Sequence, residues 1–283
     1  MTNLPIPIFL INLDRDEARL AHMSDELSAA GLTFERVPAV QGSAAQAGVA
    51  AYFLDASGAI ASSLKRGEVG CYASHLMIHE RILRQRLGPV LVLEDDLRLP
   101  ADFGTLLAGI LAALPADWEI VRLSNPPKSA YVPLAALGGG RELVRYSKIP
   151  NNTGAYLINE RGAARFLAGP RPRRRAVDED LRRPWDFGPT SYGVVPPPVI
   201  SNIFDSTIDS LEERNLRVRR RTPKILTGRT EGPLGALRRA GYNMRVLGMG
   251  PWLRCLVNNL GRAIGRRRRK RGDRSDFSAL RVE

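Results

Sequence analysis

The sequence predicts an α/β fold, a parallel sheet flanked by helices, followed by a basic, partly helical C-terminal tail. Three observations predict it. Strand-like and helix-like stretches alternate at short spacing from the start of the chain. The run Val90-Leu91-Val92-Leu93 carries no charge and follows a Gly88-Pro89 break, as a strand covered on both faces does. Amphipathic helical stretches fill the intervals between the strands. At 283 residues, 44% hydrophobic and 25% charged, the chain has the composition of a globular protein and can bury a sizeable core.

The elements follow in order. Ile6 to Ile11 read as the first strand, and Asp14 or Asp16 caps a helix from Glu17 to Ala30 with apolar positions at Leu20, Met23 and Leu27 and a stop at Gly31. Leu32 to Val37 alternate as a second strand. Residues 41–63, rich in Ala, Gly, Ser and Gln, read as a loop or weak helix. A helix runs from Gly67 to about Leu87, and the uncharged strand follows it. Phe103 to Leu114 is a further helix, ended by Pro115, and Trp118 to Leu123 a strand broken by Asn125-Pro126-Pro127. Residues 128–150, with Gly138-Gly139-Gly140, predict a hairpin or loop. Asn151 to Ile158 is a strand, and Asn159 caps the helix Glu160 to Leu167. The arginine run 171–175 reads as exposed, and the prolines in Val194 to Ile200 restrict that stretch to an edge or a loop.

Charge is unevenly distributed. Residues 1–205 hold 22 basic and 22 acidic residues, whereas residues 206–283 hold 20 and 7, so the tail carries the whole formal excess of +13. A division follows: a neutral body over 1–205 and a basic extension over 206–283. Two distant cysteines, Cys71 and Cys255, form neither a disulfide framework nor a metal-ligand spacing, which fits a reducing compartment. The first residues lack a positive leader segment, and no stretch reaches the roughly 20 apolar residues of a membrane-spanning helix. These features place the expected protein in the cytoplasm.

The uncharged strand runs directly into Glu94-Asp95-Asp96. Ligands of parallel sheets bind outside the carboxyl ends of the strands, so these acids are expected at the rim of a cleft. Three adjacent carboxylates repel one another unless a positive charge neutralises them. Oxygen ligands of this kind suit Mg²⁺ or Mn²⁺, which share their remaining positions with substrate phosphates. A solvated acidic turn is the alternative.

Five blocks stand in an order that resembles glycosyltransferase family 25, which includes bacterial lipopolysaccharide galactosyltransferases and is related to the procollagen galactosyltransferases. They are Phe9 to Arg15, Gly67 to Cys71 with Ser74-His75, Leu93 to Asp96, Gly154 to Ile158, and Val177-Asp178. The resemblance covers about residues 5–205. It implies a GT-A-type, Rossmann-like domain for a nucleotide-sugar and inverting transfer assisted by a divalent ion, usually Mn²⁺. UDP-galactose is the implied donor, and a lipopolysaccharide or other glycan the acceptor. The alternatives are another nucleotide-sugar, or a non-catalytic relative that binds glycan or nucleic acid.

The resemblance also distributes roles. Glu94 and Asp96 match the ends of the Asp-any-Asp motif of GT-A enzymes, which assigns them to metal and ribose, while Asp95 points the other way and supports the donor loop. Asp178 is the first candidate for the base that takes the acceptor's proton, with Glu179 and Asp180 as rivals and helix capping as the structural alternative. Asn12 and Arg15 end the first strand where the nucleotide lies, and Ser74 and His75 line the donor pocket or merely start a helix. Trp185 and Asp186 read as an acceptor platform or a core contact.

Beyond the resemblance, Trp252, Leu253, Leu256, Val257, Leu260 and Ile264 share one face of a helix over about 251–265, and Arg254, Asn258, Asn259 and Arg262 share the other. Arg266 to Arg271 follow. A basic amphipathic helix with a polybasic run reads as an interfacial anchor, each basic residue contributing about 1 kcal/mol at an anionic bilayer. The expected location is the inner face of the inner membrane. Packing on the body is the alternative, and nucleic acid is disfavoured because no aromatics are interleaved among the arginines.

Overall fold

Ile8–Asn12 are all buried and form β1, the strand on which the chain reverses its direction of growth. The structure, a computed structural model, describes residues 6–41, 48–59, 64–201, 203–204, 232–266 and 277–282. From β1 the chain passes through α1 (Glu17–Ala29) to β2 (Glu35–Pro38), parallel to β1 on one side. It returns through α2 (Arg66–Gln85) to β3 (Val90–Glu94), parallel to β1 on the other side. A crevice opens at such a reversal, beyond the carboxyl ends of the two inner strands.

The strands that follow are β4 (Leu97–Arg98), β5 (Ile120–Arg122), β6 (Tyr131–Gly138), β7 (Arg141–Tyr146), β8 (Ala155–Ile158), β9 (Ser191–Val195) and β10 (Ile200–Ser201). Eight of the ten form one sheet in the order β2-β1-β3-β8-β5-β9-β7-β6, and β4 pairs with β10. The sheet is mixed rather than parallel. β8 runs antiparallel to both β3 and β5, because residues 128–150 form the β6–β7 hairpin and return the chain from the opposite end. Its start therefore lies beside the end of β3, where Glu94 N–H donates to Gly154 O at 2.8 Å. Gly154 is required there: a Cβ would lie 2.9 Å from Leu97 Cδ2 and 2.8 Å from Asn152 Oδ1.

Both faces of β3 are covered, which is why its sequence does not alternate. Val90 and Val92 join Phe9, Tyr72, Leu76 and Phe166 on one side, under α2 and α4 (Glu160–Leu167). Leu91 and Leu93 join Leu10, Met23, Leu27 and Leu107 on the other, under α1 and α3 (Phe103–Ala113). Asn159 caps α4, accepting Gly162 N–H at 2.9 Å.

Two further expectations change. β9 lies inside the sheet between β5 and β7, and the prolines follow it, where no ladder bond is asked of them. The arginine run is not uniformly exposed. Arg173 is buried over the rings of Tyr52, Phe166 and Phe187, and its guanidinium bonds the carbonyls of Phe166 and Pro170 at 2.7 and 2.9 Å. These carbonyls belong to the last turn of α4 and the loop after it, and need donors.

The tail begins its described part with α7 (Pro233–Leu247) and α8 (Met249–Arg266), after the short helices α5 (Val177–Leu181) and α6 (Pro184–Phe187). Both long helices contact the body. Asn243 donates to Ser147 O at 2.9 Å, and Asn259 accepts Ala130 N–H at 2.8 Å and donates to Ser147 Oγ at 3.1 Å. Cys255 is buried beside Ala130. The inward edge of α8 is thus Cys255 and Asn259, because the body offers backbone groups that an amide satisfies and a leucine does not. The side chain of Ile264 and the run Arg267 to Arg271 lie outside the described residues. Val282 N–H bonds Tyr131 O at 3.0 Å, so the segment 277–282 lies along β6. No helix among the described residues is long and apolar enough to cross a membrane.

Gly162 packs α4 directly on the chain entering β5, and a Cβ there would lie 2.6 Å from the Glu119 carbonyl oxygen. Gly162→Ala is expected to destabilise the fold by about 1–3 kcal/mol through overpacking against backbone. A urea midpoint lowered at unchanged slope is the confirming measurement.

Candidate active site

The site is built where β1 and β3 leave the sheet. Asn12, the last residue of β1, is buried and fully used: its Nδ2 donates to Asp95 Oδ2 at 2.8 Å and to Asp16 O at 3.1 Å, and its Oδ1 accepts from Arg36 Nε at 2.9 Å. Arg19 of α1 holds the other Asp95 oxygen at 3.0 Å. Burial pushes the Asp95 carboxyl up, while Asn12 and Arg19 pull it back. Asp95 therefore ties β3 to β1 and α1, facing away from its two acidic neighbours. Arg15, expected where the nucleotide lies, is half-exposed and lies 3.9 Å from Asp16. Arg19 and Arg36 are the arginines that reach this corner.

Glu94 is held from two elements. His75 Nε2 lies 3.2 Å from Glu94 Oε1, and the Thr153 hydroxyl donates to the same oxygen. Burial alone would raise the Glu94 carboxyl, but His75, Thr153 and Arg122 outweigh it and hold it below its usual range. Behind His75 runs a buried chain of hydrogen bonds. The Tyr156 hydroxyl lies 2.9 Å from His75 Nδ1 and 3.0 Å from His79 Nε2. Burial, then the neighbouring His75 and Arg173, depress His79 to about 3, so the ring is neutral. Its Nδ1 has no partner among the described residues, so the hydrogen sits on Nε2 and points at Tyr156. His75 then bridges Tyr156 and Glu94 through its two ring nitrogens, Nδ1 at 2.9 Å and Nε2 at 3.2 Å. His75 is thus a positioning residue one bond removed from the cleft. Ser74 is structural: its hydroxyl donates to Gly70 O at 2.9 Å and accepts Val40 N–H at 2.9 Å, pinning the loop after β2 to α2.

Asp96 is the carboxylate left open. Its Oδ1 is buried with no hydrogen-bond partner among the described residues. Burial, then the charges of Glu94 and Asp95, push it up to about 6. A buried carboxylate oxygen without a donor, beside a second carboxylate, fits a cation with oxygen ligands, so Glu94 and Asp96 suit Mg²⁺ or Mn²⁺. Cys71 Sγ and a ring nitrogen of His75 also lie within 4.8 Å of a Glu94 oxygen and of each other, a softer donor set.

Asp178 reaches the same place from α5. Its Oδ1 accepts Glu179 N–H at 2.8 Å and its Oδ2 accepts from Asn151 Nδ2. It thus bonds a first-turn N–H, although Ala176 is the helix N-cap. Burial raises the Asp178 carboxyl, with Glu94 pushing the same way and Arg122 opposing. Arg122 ends β5 and is 1% exposed. Its three guanidinium nitrogens have no hydrogen-bond partner among the described residues, and it sits within electrostatic reach of Tyr156, Asp178, Tyr146 and Glu94. Of the rivals to Asp178, Asp180 is committed elsewhere: it accepts from the Tyr72 hydroxyl at 2.8 Å and from Arg175 Nε at 2.7 Å. Glu179 is half-buried on the same turn.

The loop 151–153 is clamped before it delivers Asn151 and Thr153. Asn125 Nδ2 bonds Asn151 O at 2.8 Å, and Asn152, at φ +94°, bonds Ser201 Oγ at 2.9 Å. A non-glycine residue held at positive φ is a local cost that the surrounding bonds sustain. Trp185 and Asp186 are bound into the body and tail rather than presented as a platform. Asp186 accepts from Arg183 at 2.8 Å and meets Arg175 and Arg238 at 3.3 and 3.6 Å, and the Trp185 ring packs against Tyr242 of α7.

The structure therefore brings together Glu94, Asp96, Asp178 and His75 and adds Arg122, Asn151, Thr153 and Tyr156. The added residues lie on the antiparallel strand β8, in the loop before it, or at the end of β5. An Asn-Asn-Thr run before a strand was the one signal of them in the sequence.

Comparison with known proteins places these residues in context. Residues 5–180 match the profile of glycosyltransferase family 25 (LPS biosynthesis protein). Procollagen galactosyltransferase 1-B of Xenopus laevis is 32% identical over 194 residues, 65% of this chain and 32% of that protein. The inactive glycosyltransferase 25 family member 3 of Homo sapiens is 33% identical over 135 residues, 45% of this chain and 22% of that protein. The chain thus spans about a third or less of the length of these relatives. Among solved structures, a glycosyltransferase involved in glycosylation of the major capsid of PBCV-1 aligns at 12% identity over 56% of this chain and 61% of that one, with a TM-score of 0.27.

The neutral, buried His79 sets a pH dependence. Its pKa falls from 6.5 in the unfolded chain to about 3 in the fold, so this contribution to stability is whole above pH 6.5 and is lost as pH falls towards 3. His79→Gln retains a donor for Tyr156 and removes the titration. The variant is expected to lose less stability than the wild type between pH 6.5 and 4 in parallel urea titrations, and equal losses would contradict the assignment.

Proposed function

The chain belongs to glycosyltransferase family 25, and from that premise we propose that it transfers a hexose, galactose from UDP-galactose in the first instance, to a hydroxyl of a lipopolysaccharide or related glycan. The observation that carries this reading is the meeting of Asp96, whose carboxylate oxygen has no partner among the described residues, with Glu94 and Asp178 from separate segments.

The proposed step is a single displacement with inversion. The acceptor oxygen bonds the anomeric carbon as the bond to the donor's diphosphate oxygen breaks, and the hydroxyl proton passes to Asp178. Burial raises the affinity of Asp178 for that proton, while Asn151 and Glu179 N–H fix its two oxygens. Glu94 is oriented by His75 and Thr153, and Asp96 presents its open oxygen to the same space. A divalent ion bound by Glu94 and Asp96 would neutralise charge growing on the departing diphosphate. Arg122 lends its positive charge from beneath, within electrostatic reach of both Glu94 and Asp178.

A second reading, a family member without turnover, draws on relatives that carry the name inactive. One assay separates the two: UDP release from a panel of UDP-sugars, with Mn²⁺ and with chelator. Release is expected with UDP-galactose and Mn²⁺, and is abolished by chelator and by Asp96→Ala. Asp178→Asn is expected to keep donor affinity and lose roughly 10²–10⁴-fold in turnover. Undiminished turnover in Asp178→Asn would transfer the role to Glu179. Ion binding without release from any donor would favour the inactive reading.

A further inference from the structure

We propose that the outward side of α8, with its neighbours on α7, is a docking surface for an anionic lipid bilayer. Leu253, Leu256, Val257 and Leu260 follow the spacing i, i+3, i+4, i+7 and form one stripe. All four are exposed, Val257 by 70% and Leu260 by 62%, while Cys255 and Asn259 on the other edge are held by the body. Met249 at the elbow and Leu234 and Leu237 on α7 are exposed as well. A monomeric protein does not ordinarily present so many large aliphatic side chains on one hairpin.

The charge around the stripe says what covers it. Residues 233–266 contain six arginines and no acidic residue. Beside the stripe, a cavity of about 370 Å³ between the two helices and Lys148 is lined by Arg239, Trp252, Leu256 and Leu260. Aliphatic side chains and cations side by side match the acyl region and headgroups of an anionic leaflet. A second copy of the chain would bring like charge against like charge. Nucleic acid gains nothing from exposed leucines, since its bases stack on aromatic rings. The helix is not long and apolar enough to span, so it lies along the surface.

Sedimentation of the full chain with large vesicles tests this. Binding is expected to phosphatidylglycerol-containing vesicles and to be at least tenfold weaker to pure phosphatidylcholine. The triple variant Leu253→Ser, Val257→Ser, Leu260→Ser is expected to lose tenfold or more with unchanged circular dichroism and unchanged UDP release from the donor in the presence of a soluble acceptor. Val257→Phe adds apolar area without charge and is expected to tighten binding several-fold. Anionic-vesicle binding unaffected by either change overturns the proposal. So does light scattering that shows a dimer split by the serine variant, or a melting temperature lowered by several degrees with vesicle binding intact, which would mean that the chain covers its own stripe. Tighter binding to a DNA duplex than to the anionic vesicles overturns it too.

Discussion

Three consecutive carboxylates at the end of a buried strand are the constraint around which this structure is arranged. Each is handled differently. Asp95 is turned inward, hydrogen-bonded by Asn12 and paired with the charge of Arg19, which fastens β3 to the first strand and helix. Glu94 is kept ionised and aimed by His75 and Thr153. Asp96 keeps one buried oxygen without a hydrogen-bond partner among the described residues, and burial and the like charges of Glu94 and Asp95 raise its carboxyl. The division follows the alternation of side chains at the end of β3, where Asp95 faces away from Glu94 and Asp96.

The antiparallel strand beside β3 gives that division its precision. Because β8 enters from the cleft side, its first residues and the loop before it sit against the acids, and Tyr156 within it links His75 to His79. The acids are thus oriented by groups that are themselves buried and hydrogen-bonded, and preorganisation of this kind favours catalysis because no reorganisation is asked at the moment of reaction. Arg122 is the least compensated member: a buried guanidinium without hydrogen-bond partners among the described residues is sustained by the negative charges of Glu94 and Asp178.

Much of the fold was legible because its signals are local. Strand β1, helices α1 to α4 and the β6–β7 hairpin follow from apolar period, caps and glycine turns, and the asparagine cap of α4 fell where expected. The acids could be read because an uncharged strand ended in them. What stayed hidden was long-range. Nothing in the residues 155–158 says that they run against their neighbours, so Thr153 and Asn151 were not assigned to the cleft. Arg122 looked like an ordinary charge after two apolar residues. Arg173 read as a surface charge in a run of arginines, whereas the carbonyls around the end of α4 and four aromatic rings draw it inside. Ser74 was read from the resemblance and Trp185 and Asp186 from residue type, and their partners Val40, Tyr242, Arg175 and Arg238 lie at distances in sequence that no period reveals.

The placing of residues 277–282 along β6 has a bearing on how the molecule behaves in company. A hairpin at the rim of a sheet offers free peptide groups to any passing chain. Here the backbone of Val282 takes up the carbonyl of Tyr131, and Leu280 buries itself against Tyr131 and Tyr146. The Tyr131 end of that rim is thereby occupied by the segment 277–282, which keeps an incoming strand from pairing there, on a chain that carries an apolar stripe elsewhere on its surface.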